Sequence, residues 1–187
     1  MRDDDTLTTL AEAVAKQRGY ADFYNWKGKR QKELGLLEAL IEAAGRIGLT
    51  LSDGRLEQKH KDPPDAWVAL AGTRIAIDFT EFVDSSLIEK QRHEKQGQWR
   101  AWRHQEVEVK LSSICQKKGH AGFGQGVDYW LVIHCDEPAL GSELLEGYLR
   151  AMPPIAVRGV ARCFVLLSYD PSVQSYPLLE VSVKRAG

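Results

Sequence analysis

Cysteine is scarce in this chain, with three residues in 187, and Cys115, Cys135 and Cys163 are too far apart to form a CxxC pair. An odd, scattered set argues against a disulfide framework or a structural zinc site and points to a reducing compartment. Long apolar runs are missing too. None approaches the roughly 18 residues that a membrane helix needs, and the acidic start MRDDDTLTTLAEA carries no hydrophobic signal core. A cytoplasmic protein without a membrane partner is therefore expected. Nor is there an excess of one charge: 25 Lys and Arg stand against 26 Asp and Glu, a net charge of −1. No global basic field marks a nucleic-acid binder, so any such binding must use a local patch. His60, His93, His104, His120 and His134 show neither HExxH nor another paired-ligand spacing, which leaves a histidine-based zinc hydrolase unsupported.

What is present is ordinary globular composition, 43% hydrophobic and 27% charged, enough for one α/β domain over residues 1–187 with a helical extension over about 1–28. Thr6 to Arg18 reads as that extension, closed by Gly19. A second helix is predicted from about Arg30 to Ile47, with Leu34, Leu37, Ile41 and Ala44 on its apolar stripe. TLSDGR (50–55) reads as a turn at Asp53-Gly54. A long helical region opens at Ser85-Ser86, where Ser86 and Glu89 have capping-box spacing, and runs to about Lys118 with a break near Gly97. The glycine-rich GHAGFGQG (119–126) precedes a strand and does not open a helix, which is the wrong context for a phosphate-binding loop. DYWLVIHC (128–135) is apolar enough for the middle of a sheet, Gly141 to Met152 reads as a helix, and Arg162 to Tyr169 and Leu178 to Lys184 read as strands.

The candidate site lies in PPDAWVALAGTRIAIDFTEF (63–82), which reads as a β-hairpin. With Gly72-Thr73 as a two-residue loop, Ala71 pairs with Arg74, Ala69 with Ala76, Trp67 with Asp78, and Asp65 with Thr80. Asp65, Asp78 and Thr80 then share one face, while Ile75, Ile77 and Phe79 alternate onto the core side. Opposite residues stand roughly 4.5 to 5.5 Å apart at Cβ, so two carboxylates can reach one hard cation. Asp after two prolines is an ordinary turn residue. Asp78 is more telling, because it interrupts an apolar strand where an unpaired carboxylate is expensive to bury.

A helix bearing a Glu, then Pro64-Asp65, a strand, a turn and Asp78-Phe79-Thr80, followed by a helix and an apolar strand, resembles the PD-(D/E)xK nuclease superfamily from about Arg30 to Cys135. The resemblance implies a restriction-endonuclease-like α/β fold, a mixed central β-sheet flanked by helices. It also implies Mg²⁺, with Mn²⁺ as a substitute, held by Asp65, Asp78 and the backbone carbonyl of Phe79. A helical Glu often joins such a site, and Glu33 is the choice, with Glu38 the alternative. Thr80 stands where the motif lysine belongs. Related families supply that lysine from a neighbouring helix, for which Lys110 is the candidate and Lys117 a weaker one. The activity implied is metal-dependent hydrolysis of DNA phosphodiesters, and homodimerisation is left open. The rival is a non-catalytic binding module for nucleic acid or protein, built on the same scaffold.

KQRHEKQGQWRAWRH (90–104) is basic and carries Trp99 and Trp102 three residues apart. On one helix face, Trp99, Arg100, Trp102 and Arg103 can contact phosphates and stack on unpaired bases. Equally, the tryptophans can be core anchors and the basic residues the wet side of an amphipathic helix.

Overall fold

The computed structural model describes residues 28–58, 64–83, 101–119, 123, 126–137 and 139–186. The first described helix, α1 (Lys29–Arg46), buries Leu36, Leu37, Leu40, Ala43 and Ala44. This stripe is rotated from the predicted one, since Leu34 is 45% exposed. Each fully buried leucine here contributes about 1.5–3 kcal/mol of transfer free energy. Strand β1 (Leu51–Leu56) follows, then β2 (Ala66–Leu70) and β3 (Thr73–Phe82). Helix α2 (His104–Lys118) leads to β4 (Val127–Cys135), α3 (Ser142–Ala151), β5 (Ile155–Val157), β6 (Arg162–Leu167), β7 (Leu178–Val181) and β8 (Val183–Arg185).

Six strands form a mixed sheet in the order β1-β2-β3-β4-β6-β7, and β5 pairs with β8 in a separate two-stranded ladder. The β1–β2–β3 meander is antiparallel, β3, β4 and β6 run parallel, and β7 returns antiparallel. The chain is thus α/β, a mixed central sheet flanked by helices, as its sequence predicts. Two apolar clusters lie on opposite sheet faces. One joins α1 to Val68, Ile75, Ile77, Trp130 and Val132. The other joins α2 through Val107, Leu111, Ile114 and Cys115 to Ala76, Leu131, Ile133 and Cys163. Strand β4 is buried over seven consecutive residues, Tyr129 to Cys135, because it lies between β3 and β6 with helices on both sides.

Several local expectations are corrected. Asp53-Gly54 is no turn but an irregularity inside edge strand β1, where the register shifts between Ser52 and Arg55 and Asp53 takes φ 54°. A bulge uses the same Asp-Gly chemistry as a turn, which is why the string misleads. The hairpin loop is Ala71-Gly72, so Leu70 pairs with Thr73, Ala69 with Arg74, Trp67 with Ala76 and Ala66 with Ile77. This is a slip of two from the expected ladder and leaves every side chain on its face. Trp102 precedes α2, whose N-cap Arg103 is extended, and does not lie on a helix. The N-terminal helix, the Ser86–Glu89 capping box, Gly97, Trp99 and Arg100 lie outside the described residues.

Candidate metal and phosphodiester site

Strand β3 outruns its neighbour. Its pairing with β2 stops at Ile77, whereas its pairing with β4 continues from Asp78 opposite Leu131 to Phe82 opposite Cys135. Among the described residues the β2 side of β3 past Ile77 is therefore an open edge, and Asp65, just before β2, turns into it. The main-chain N–H of Asp65 donates to Ile77 O at 2.9 Å, and that of Phe79, freed from a strand partner, donates to Asp65 Oδ2 at 2.8 Å. Asp65 and Asp78 consequently meet. The two carboxyl groups share a hydrogen bond, and Asp65 is pushed up to about 7, first by burial and next by that bond to Asp78, against the pull of the Phe79 N–H. A proton held between two acids at neutral pH occupies the place of a cation.

Asp78 is fully buried. Lys118 Nζ lies 3.1 Å from its Oδ2 and 3.3 Å from its Oδ1. The phenol of Tyr129 donates to Asp78 Oδ2 at 3.0 Å and stands 3.2 Å from the main-chain oxygen of Lys118. Burial, followed by the Asp78 charge, pushes the Tyr129 phenol far up, so it is a neutral donor at any physiological pH. Tyr129 thereby ties the last turn of α2 to β3 and holds the lysine on its carboxylate.

The lysine that meets the acids is Lys118, not Lys110 or Lys117. Lys110 lies eight residues earlier in α2, about 12 Å of helix rise away. Sequence alone carried the signal, because Val107, Leu111, Ile114 and Cys115 form the buried stripe and Lys118 continues it at i+3 from Cys115 and i+4 from Ile114. The same rule decides between the helical acids. Glu33 extends the Leu36, Leu37 and Leu40 stripe of α1 and reaches the site, whereas Glu38 is exposed. Glu33 lines a cleft of about 240 Å³ with Lys29, Lys32, Leu36, Asp65, Phe79, Lys118 and His134, and Lys29 pairs with it at 3.5 Å. Thr80 is half-buried, two residues beyond Asp78 on the same face of β3.

On the α1 side, Glu81 lies between Lys32 and His134, 3.6 Å from each. Desolvation pulls the His134 imidazole down, so this buried ring is neutral near pH 7. Of the expected base-stacking surface only Trp102 and Arg103 are described, and these two do not form a stacking face. Trp102 is 5% exposed, packed on Phe82 at 4.8 Å between ring centroids, with its indole N–H donating to Glu137 at 3.2 Å. Arg103 is exposed at the N-terminal end of α2, about 22 Å of helix rise from Lys118.

Among the described residues no three His, Cys, Asp or Glu side chains close on a single point. The set that does converge, two aspartates with the Phe79 main chain and Glu33 across the cleft, suits a cation that takes one or two carboxylates and keeps its waters, as Mg²⁺ does. No family model, curated protein or solved structure matches this chain.

Proposed function

We propose that the protein is a Mg²⁺-dependent, nuclease-like phosphodiesterase acting on DNA, related in its site to the PD-(D/E)xK superfamily. One observation carries this reading: Asp65 and Asp78 converge at the open edge of β3 with the Lys118 ammonium 3.1 Å from Asp78. A carboxylate pair beside a lysine is the residue set that metal-assisted hydrolysis asks for. Asp65, Asp78 and the Phe79 carbonyl would hold the ion, with Glu33 acting through water. Once bound, the ion would polarise a phosphoryl oxygen and lower the pKa of a bound water. Lys118 is placed to orient the attacking water and offset negative charge on the phosphorane-like transition state. Thr80 contributes at most a hydrogen bond from the position where the motif has lysine.

The test is cleavage of plasmid and single-stranded DNA with Mg²⁺, Mn²⁺ or EDTA. Asp78→Ala is expected to abolish cation-dependent cleavage while DNA binding persists. Cleavage surviving in Asp78→Ala, or none by the wild type with either cation, sinks the enzymatic reading.

The second reading is a non-catalytic module on this scaffold. Its support is specific: Lys118 and Tyr129 already neutralise and hydrogen-bond Asp78, as a purely structural buried acid requires. It predicts DNA or protein binding unchanged by Asp78→Asn and indifferent to Mg²⁺.

A further inference from the structure

The sheet face that carries Asp65 and Asp78 also carries, nearer the β2–β3 loop, a basic and aromatic group. Arg55 of β1 stands directly opposite Trp67 of β2, and Trp67 opposite Ala76 of β3. Directly opposite residues point to one side, and so do residues two apart along a strand. Trp67 is two residues after Asp65, Ala76 two before Asp78, and Arg74 two before that. Arg55, Trp67 and Arg74 therefore share the face of the two aspartates. They also line one depression of about 270 Å³.

Trp67 organises this surface. Its indole N–H donates to Glu57 Oε2 at 2.8 Å, its edge meets Phe123 at 6.1 Å between centroids, and the Arg74 guanidinium lies 3.7 Å from its ring centre. A guanidinium stacked on an indole is a flat, fixed cation. Arg74 and Arg55 are both exposed, and among the described residues neither has a carboxylate partner.

We infer that Arg55, Trp67 and Arg74 form the track for the DNA strand leading into the Asp65–Asp78 cleft, with Arg55 on phosphate and the Arg74–Trp67 stack against phosphate and an unstacked base. This deepens the nuclease reading and rests on it for the direction of the strand. Charge complementarity identifies the occupant: two exposed arginines, one of them stacked on an indole, lie on the face of the two aspartates. Asp78 is four residue steps beyond Arg74, about 13 Å of strand, a length matching about four nucleotides at the 3.4 Å rise of a stacked strand. The chemistry is phosphate contact with sequence-tolerant stacking on an arginine plane. It also relocates the predicted nucleic-acid face, from the Trp102–Arg103 end of α2 to the outer strands of the sheet.

Fluorescence anisotropy with labelled single-stranded and duplex DNA, in EDTA so that no cleavage enters, tests it across a salt series. Arg55→Ala combined with Arg74→Ala is expected to weaken binding at least about tenfold at low salt and to flatten the slope of log K against log salt by about 0.7 per arginine on single strands. The paired lysine variant, Arg55→Lys with Arg74→Lys, should keep the slope but lose affinity, because only the stack is lost. Wild-type affinity and slope in a double alanine variant with an unchanged melting temperature would overturn the proposal, as would a wild type that binds neither DNA form. A protein that binds through these arginines yet cuts nothing upholds the track and sinks only the catalytic reading.

Discussion

The chemistry at Asp78 is set by what burial costs. A fully buried carboxylate is stable only when its lone pairs and charge are met, and Lys118 and Tyr129 meet them. Lys118 thus has two roles that separate experimentally. Lys118→Met leaves Asp78 with one donor and no counter-charge, which should destabilise the fold by about 1–3 kcal/mol and remove cation-dependent cleavage. Lys118→Arg restores the charge, so urea denaturation should return toward wild type, while cleavage stays impaired because the broader guanidinium cannot sit where the ammonium sat. If Lys118→Met cleaves normally, the lysine is structural only. At this scale the sequence exposed the aspartates, since an acid inside an apolar strand advertises itself. It pointed to the wrong lysine, because polarity drew attention to Lys110 when the position was decided by the helical stripe through Ile114 and Cys115.

The hairpin that carries the acids shows what alternation can and cannot decide. Alternation assigns faces, so Asp65 and Asp78 were legible as neighbours from the sequence. It does not assign level, because a shift of two residues keeps every face and leaves the core unchanged. The observed level brings Asp65 beside Asp78 instead of beside Thr80. It does so at a local cost: the loop places Ala71 at φ 49° and Gly72 at φ 81°, and a left-handed conformation costs a residue with a Cβ about 1–2 kcal/mol. Ala71→Gly, or Ala71→Asn, fits a turn needing positive φ at both central positions. Either is expected to raise the urea midpoint, by up to about 1 kcal/mol in stability, and to leave DNA cleavage unchanged. A loss of stability in Ala71→Gly would mean that the loop is not where it is described. Edge strand β1 was hidden for a related reason: its bulge is written in the same Asp53-Gly54 letters as a turn, and only pairing with β2 tells the two apart.

At the scale of the whole molecule, the acid pair couples stability to pH and to divalent cations with opposite signs. Burial and the bond to Asp78 push the Asp65 carboxyl up to about 7 in the folded chain, against about 3.9 for a free aspartate, so between those limits the folded state holds a proton that the unfolded state has released. Its contribution to stability is complete below about pH 4 and is lost as pH rises through about 7. The metal-free wild type should therefore lose melting temperature between about pH 5 and about pH 8 through this group, and Asp65→Asn, which cannot ionise, should flatten that fall. A cation competes with the same proton, so Mg²⁺ affinity should climb by up to tenfold per pH unit below about 7 and level off above it. Mg²⁺ at about 100 times its dissociation constant adds about 2.7 kcal/mol to a protein that binds it only when folded. The expected result is a clear rise in melting temperature with Mg²⁺ at about pH 8 and little at about pH 5, absent in Asp65→Asn and Asp78→Asn. Lys118 sharpens the measurement, since its ammonium opposes the incoming ion on Asp78. The lysine should lower the affinity for Mg²⁺ without changing this pH profile, which belongs to Asp65. A thermal shift of equal size at both pH values, or one that persists in both asparagine variants, would place the cation elsewhere and leave the buried acids with a structural role alone.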